Sequence, residues 1–364
     1  MTFYIVNLFV MMFYSTSIKM TKFKNRNALI LFFLVTHFTI ISGFRAVSVG
    51  TDTFNYNTIF SSTSLSSVEH IIQNSRFVGY ELLMKLIGTF PNGNYQIFLL
   101  LIAFLTNFLF LVTIYRVCSD LIYQAGYLYY ILYYFISTMN ITRQMFAVSL
   151  CFCSIYYLIK KKYLKYFLLV LCAFLIHSTA VTAFIFPILY KVRWNYFKYA
   201  LLVVMTILIG RGSSLLMGIF STFVRGYSIY ENAMIYQNEG NRIYLTLFLT
   251  GILFICIFFS LQLKNNFSQS VYFFQAVIII SVVMGIIFAK DSLIIRAQQY
   301  FEITIILYFP LFYRELKDVV VGDYKKYTSI LRIAYIIFFV MLLIPFLMQL
   351  YSNYGGIIPY KTGI

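Results

Sequence analysis

Apolar runs close to the length of a bilayer-spanning helix recur along the whole chain, and no soluble domain, repeat or low-complexity tract separates them. The clearest cover residues 2–16, 28–44, 95–115, 121–139, 145–159, 198–218, 243–262, 270–288, 298–313 and 329–350. A helix rises about 1.5 Å per residue and the hydrocarbon core is about 30 Å thick, so each run is a span or nearly one. Composition excludes the soluble alternative independently. Of 364 residues, 61% are hydrophobic and 11% charged, where a soluble domain needs roughly a quarter charged to cover its surface. The first run is read as a retained span, because its basic cluster follows it and no small-residue cleavage site is visible. The five cysteines all lie in apolar runs without Cys-x-x-Cys pairing and read as core residues.

One stretch, Tyr163–Tyr190, reads either as one long helix or as two short arms meeting at His177–Ser178. Loop charge discriminates between them. With two arms, 18 of the 28 basic residues fall on one side and 10 on the other; with one helix the second half inverts and the split becomes 15 to 13. The positive-inside rule therefore predicts the hairpin, about twelve membrane segments in all, and both termini outside. Each arm of 14 residues rises only about 21 Å, and half-length segments of this kind line protein or water-filled cavities instead of lipid. The expected fold is an all-α polytopic integral membrane protein, a single multispan domain over 1–364 with long outer loops at 45–94 and 220–242.

Sorting the net charge of +17 by side exposes a difference in kind. The inner basic set is 13 Lys and 5 Arg; the outer set is Arg45, Arg76, Lys85, Arg143, Arg211, Arg225, Arg242, Lys290, Arg296 and Lys361, seven of them Arg. Lysine suffices to fix orientation. A guanidinium forks onto phosphate or carboxylate oxygens and keeps its proton, so an arginine-biased outer face points to a bound anion. Arg76, Arg211 and Arg242 read as interfacial residues or as partners of the outer acids. Arg143 and Arg296 each open an apolar span, where an unpaired charge is costly. Further polar residues gather at span ends on the same face: Arg45 to Asp52 followed by Tyr56, then Asn140-Ile-Thr-Arg143-Gln144, His177-Ser-Thr, and Asp291 and Arg296 before Tyr300. No P-loop, dinucleotide-binding Gly motif, His-Glu-x-x-His or Gly-x-Ser-x-Gly motif occurs, so neither a nucleotide nor another cofactor is expected, and the outer carboxylates lack a metal-ligand spacing.

At these clusters the chain resembles the EpsG family, the Wzy-like polymerases of bacterial exopolysaccharide, capsule and O-antigen synthesis. The resemblance rests on VGTDTFNY (Val49 to Tyr56), NITRQMFA (Asn140 to Ala147), KKKYLKYF leading into LIHSTAV (Leu175 to Val181), RAQQYF (Arg296 to Phe301) and the Pro359-Tyr-Lys361 ending, and it covers almost the full length. Relatives commonly carry an acidic residue just before the Gly-aromatic pair that is Gly79-Tyr80 here; this chain has Arg76-Phe-Val instead, and Glu81 does not inherit that role.

The resemblance implies a glycosyltransferase of the bacterial cytoplasmic membrane with its active site facing outward, compatible with a GT-C-like architecture. Its substrates would be undecaprenyl-diphosphate-linked oligosaccharides, and a chain-length regulator of the export machinery a candidate partner. Under this reading Arg143 and Arg296 clamp the donor diphosphate with Arg45 assisting, His177 or Asp52 serves as base, and Gln144, Tyr56 and Tyr300 position sugar. A flippase for lipid-linked oligosaccharide, an O-antigen ligase or an O-acetyltransferase would draw on similar residues. The gathering of polar clusters on one face, without two related halves, favours polymerase over flippase.

Overall fold

The computed structural model describes residues 1–75, 77–90, 93–212, 240–263, 267–289, 291–323 and 328–363. Arg76, Arg225, Lys290, most of the 220–242 connection and the side chain of Arg242 therefore lie outside the described residues. The fold is all-helical, 82% helix, with no strand among the described residues. It divides into two compact units, Met1–Val181 with Leu350–Ile364, and Thr182–Gln349.

The first unit runs α1 (Thr2–Met20), α2 (Arg26–Gly43), α3 (Thr53–Leu65), α4 (Val68–Asn74), α5 (Val78–Gly88), α6 (Tyr95–Cys118), α7 (Ile122–Ile131), α8 (Tyr134–Asn140), α9 (Thr142–Ile159) and α10 (Tyr163–Ile176). The second holds α11 (Phe186–Lys191), α12 (Tyr196–Arg211), α13 (Gly240–Gln262), α14 (Gln269–Ile287), α15 (Ser292–Glu302), α16 (Ile305–Asp323), α17 (Thr328–Met341) and most of α18 (Leu343–Tyr351).

Six segments among the described residues are long and apolar enough to cross a membrane: Thr2–Met20, Arg26–Gly43, Tyr95–Ile131, Thr142–Ile159, Gln269–Ile287 and Leu331–Tyr351. Shorter apolar helices lie at Tyr163–Ile176, Ser178–Lys191 and Thr246–Gln262. The chain is thus a multi-pass membrane protein; among the described residues six long spans and three shorter apolar helices are found, which does not by itself confirm the expected twelve segments.

Two expected spans are divided between helices, and a third carries a turn. The run 121–139 divides at Tyr133, which sits in the left-handed region at φ 69° and donates its hydroxyl to the Tyr354 carbonyl at 3.0 Å. The run 298–313 divides between α15 and α16, where the Thr304 hydroxyl and backbone N–H both turn back to the Phe301 carbonyl. The run 329–350 is kept as the span Leu331–Tyr351, with one turn residue at Leu342, three residues before Pro345, which lacks the N–H that would have continued the ladder. The long outer loop expected at 45–94 is largely helical, as α3 to α5.

The break expected near His177 is present. His177 is extended at φ −151° and ψ 120°, ending α10. Beyond it, Ser178–Ile185 is a 3-10 helix leading into α11, not the expected α-helical arm.

In the first unit α2 packs on α6, α6 on α9, α9 on α10, and α5 lies against both α3 and α10. With lipid outside, apolar contact alone does not select partners, and buried amides supply specificity. Asn107 on α6 donates to Ser42 Oγ on α2 at 3.1 Å and accepts from the Tyr129 hydroxyl on α7 at 3.0 Å. In the second unit Gln275 on α14 does the same, donating to the Tyr308 hydroxyl at 3.0 Å and accepting from the Tyr199 hydroxyl at 2.8 Å.

A C-terminal strap fixes the turn after α2. Gly363 N donates to Phe44 O, Ala46 N to Lys361 O, Gly50 N to Gly356 O and Thr51 N to Gly355 O, all at 2.8–3.0 Å. The hydroxyls of Tyr4 and Tyr360 tie the two ends further, to Ile357 O and Ile41 O at 2.9 Å each. Gly50 is at φ +94°, and a Cβ there would collide with the Met139 carbonyl oxygen. Gly50→Ala should therefore cost about 1–3 kcal/mol, seen as a lowered thermal midpoint of the purified protein in detergent; an unchanged midpoint would show that the turn is not held this tightly.

Candidate functional site

The turn strapped by the C-terminal segment carries Arg45 to Asp52, and it meets the junction of α8 and α9. Asn140, the last residue of α8, accepts from Thr51 Oγ1 at 2.8 Å and from the Asp52 N–H at 3.1 Å. Thr53 closes the same seam, its hydroxyl near Val49 O at 2.7 Å and Met139 O at 3.2 Å. Asp52 thereby starts α3 half-buried, and Tyr56 follows one turn later with its N–H on the Asp52 carbonyl at 3.0 Å.

Helix α9 opens without a side-chain cap, because Ile141 stands at the N-cap. Its first N–H groups carry the positive end of the helix dipole, and Thr142, Arg143 and Gln144 are its first three residues. Arg45 is fully buried against this end. Its Nη1 donates to the Ser42 carbonyl oxygen and its Nη2 to Thr142 Oγ1 at 2.9 Å. Nε has no partner among the described residues. Arg45, expected to assist at the donor diphosphate, is thus walled in by protein, with both Nη atoms engaged.

Arg143 is half-buried, with its guanidinium over an aromatic ring. Its Cζ is 3.3 Å from the Phe77 centroid and 5.8 Å from that of Tyr56, and its Nε is buried without a partner among the described residues. His177 shares the same ring, stacked on Phe77 at 5.9 Å and 19°. Its Nδ1 is 2.7 Å from Thr179 Oγ1, and its side chain is buried. Tyr56 in turn packs on Tyr80 at 5.9 Å.

Tyr80 is 1% exposed and its hydroxyl is a third buried polar atom without a partner among the described residues. Burial pushes this hydroxyl well above the ordinary tyrosine range, Tyr95 and Tyr56 add to the rise, and Arg143 and Arg45 pull against it. Burial likewise lowers Arg45 from its ordinary value, opposed by Tyr95, Tyr80, Tyr4 and Tyr360. Both guanidiniums therefore act on Tyr80. Phe77 faces the Arg143 guanidinium, and Ser42 O and Thr142 Oγ1 accept from Arg45.

Of the residues singled out from sequence, the first unit thus brings together Arg45, Asp52, Tyr56, Arg143, Gln144 and His177. Gln144 is buried on the first turn of α9. Arg296 and Tyr300 belong to the second unit, on α15. There Arg296 is half-buried and Tyr300 fully buried, while Asp291 Oδ1 accepts the Ile294 N–H at 3.1 Å in the manner of an N-cap. Arg296 lies in the middle of an 11-residue helix, not at the head of an apolar span. Sequence reasoning missed Phe77 and Tyr80 as site residues. The departure at Arg76-Phe-Val was the only signal for Phe77, since a cation held by a ring leaves no charge pattern in the sequence.

The fold defines a multi-pass, all-helical membrane protein, with a cluster of basic and aromatic side chains at the opening of a helix. The EpsG family model matches residues 28–362, and the chain belongs to the EpsG family. That family is associated with polysaccharide biosynthesis and glycosyltransferase-like activity. No curated protein and no solved structure matches the chain.

Thr142 is the link between the buried and the half-buried arginine. Thr142→Val keeps the shape and removes the acceptor of Arg45 Nη2, which should cost about 1–3 kcal/mol in thermal or denaturant stability; a neutral substitution would mean that water or backbone readily replaces the hydroxyl.

Proposed function

We propose that the protein is a polysaccharide polymerase that transfers a growing glycan from undecaprenyl diphosphate to a hydroxyl of an incoming lipid-linked repeat unit, on the outer side of the cytoplasmic membrane. The observation that carries this reading is the concentration of positive charge at the start of α9. Two guanidiniums, an uncapped helix N-terminus and the buried Tyr80 hydroxyl gather there. Such a site is expensive without an anion and well suited to one that gains charge during a reaction.

In the proposed step the acceptor hydroxyl oxygen attacks the anomeric carbon of the donor's reducing-end sugar. A carbon–oxygen bond forms as the bond to the diphosphate breaks, and the departing electron pair stays on the phosphate oxygen. The hydroxyl proton passes to a base. The linkage already holds the driving force, so the protein's task is to stabilise the leaving group and orient the acceptor. Arg143, the half-buried guanidinium, contacts the diphosphate. Arg45, fully enclosed, positions the opening of α9 through Thr142 and adds to the field. Of the two base candidates, His177 is favoured because it packs on the same ring as Arg143. Asp52 then orients the acceptor, and Tyr56 and Gln144 contact sugar. The second unit's Arg296 and Tyr300 lie outside this assignment.

With purified lipid-linked repeat units, Arg143→Ala should lower polymerisation about a hundredfold or more and Arg143→Lys about tenfold, since lysine supplies the charge without the fork. Long chains should be lost while single lipid-linked units remain. Full polymerisation by Arg143→Lys would remove the bidentate contact from the mechanism.

His177→Ala should lower the rate about 10²–10⁴-fold while leaving donor affinity near wild type. An unchanged rate and pH profile would transfer the role to Asp52.

A further inference from the structure

The guanidinium of Arg143 is held by a ring where a carboxylate would be the ordinary partner. At 3.3 Å from the centroid of Phe77 it is in close cation–π contact, and the same ring stacks on His177. Phe77 stands at the N-cap of α5 at φ −130° and ψ 54° and has no cap side chain to offer; Ser75 Oγ instead accepts its N–H at 2.9 Å. The backbone around it is built for close approach. Phe77 O accepts from Tyr80 N and Glu81 N, and a Cβ on Gly79 would press on the Leu175 carbonyl of α10 at 3.0 Å. Phe77 is thus wedged between α9, which supplies Arg143, and the end of α10, which supplies His177.

The identity of the partner matters for an anion site. A carboxylate at this distance would orient Arg143 but neutralise it, and an incoming diphosphate would have to displace it. An aromatic face orients the guanidinium through its quadrupole and leaves the net charge intact, with the N–H edge directed around the ring plane and not consumed by it. We propose that Phe77 is the positioning residue of this site: it holds the Arg143 guanidinium, still fully charged, in place for a polyprenyl diphosphate and fixes His177 beside it. This rests on the reading of the cluster as a diphosphate site.

The inference is tested by the affinity of the purified full-length protein in detergent for farnesyl diphosphate, used as a short polyprenyl diphosphate, alongside thermal midpoints. The wild type should bind and Arg143→Ala should lose about tenfold or more. Phe77→Leu keeps an apolar side chain but removes the ring, and should weaken binding about five- to tenfold. Phe77→Trp should restore it. Phe77→Glu, which introduces the neutralising partner, should weaken it more than Phe77→Leu. All of this should occur at thermal midpoints close to wild type for the leucine and tryptophan variants, a pattern that a packing role does not produce. If Phe77→Leu binds like wild type while Arg143→Ala does not, the role of Phe77 is overturned and the anion site stands. If wild type and Arg143→Ala are equally weak, the diphosphate reading fails, and this inference with it.

Discussion

The first unit depends on where it keeps a charge that it does not neutralise. Arg45 is 0% exposed, its two Nη atoms hold Ser42 O and Thr142 Oγ1, and its Nε is unpartnered among the described residues. Burying a guanidinium without a carboxylate costs several kcal/mol, and the cost must be met by groups around it. These are the carbonyl at the end of α2, whose dipole end is negative, and a shell of tyrosines. The unfavourable neighbour is the start of α9, where the dipole end is positive and Arg143 stands one residue past Thr142. A fold shaped only by stability would not set two arginines at an uncapped helix start. The arrangement makes sense if an anion completes it.

The membrane character, the all-helical class and the break at His177 were legible in the sequence, because each depends on local hydropathy, charge or polar residues. The orientation argument separating 18 from 10 basic residues needed only the loops, and the chain does leave the helix at His177. Continuity of the spans was less legible. Tyr133 reaches φ 69° although it is neither Gly nor Asn, and what it gains there is long-range: a hydroxyl contact to the Tyr354 carbonyl and an edge-to-face ring pair with the same residue at 5.8 Å. Hydropathy gives no warning of such a break, since tyrosine is apolar enough for either conformation.

The site was legible in part for the same reason. Polar clusters at span ends identify Arg45, Asp52, Arg143 and His177, because charged or titratable residues in such sequence are rare. Their division of labour was not visible. Arg45 and Arg143 look equivalent by position, and only burial separates the enclosed residue from the half-buried one. Phe77 is one of 40 phenylalanines in a chain where aromatic residues carry little information individually.

The C-terminal strap joins these two lines of argument. The turn from Arg45 to Asp52 has no regular structure beyond one isolated bridge to Thr362, so its shape comes from backbone hydrogen bonds with residues some 300 positions away in the chain. Without them Asn140 would have to hold Thr51 and Asp52 alone, through one amide oxygen. Loop ends left to two side-chain contacts open readily, since each is worth only about 1 kcal/mol against the entropy of the freed residues. The strap therefore does for the turn before Asp52 what Phe77 does for Arg143: it fixes the position of a group at the opening of α9. Both act on geometry: one sets the backbone before α3 and the other sets a guanidinium, so the two ends of the cluster are positioned by contacts that come from distant parts of the chain.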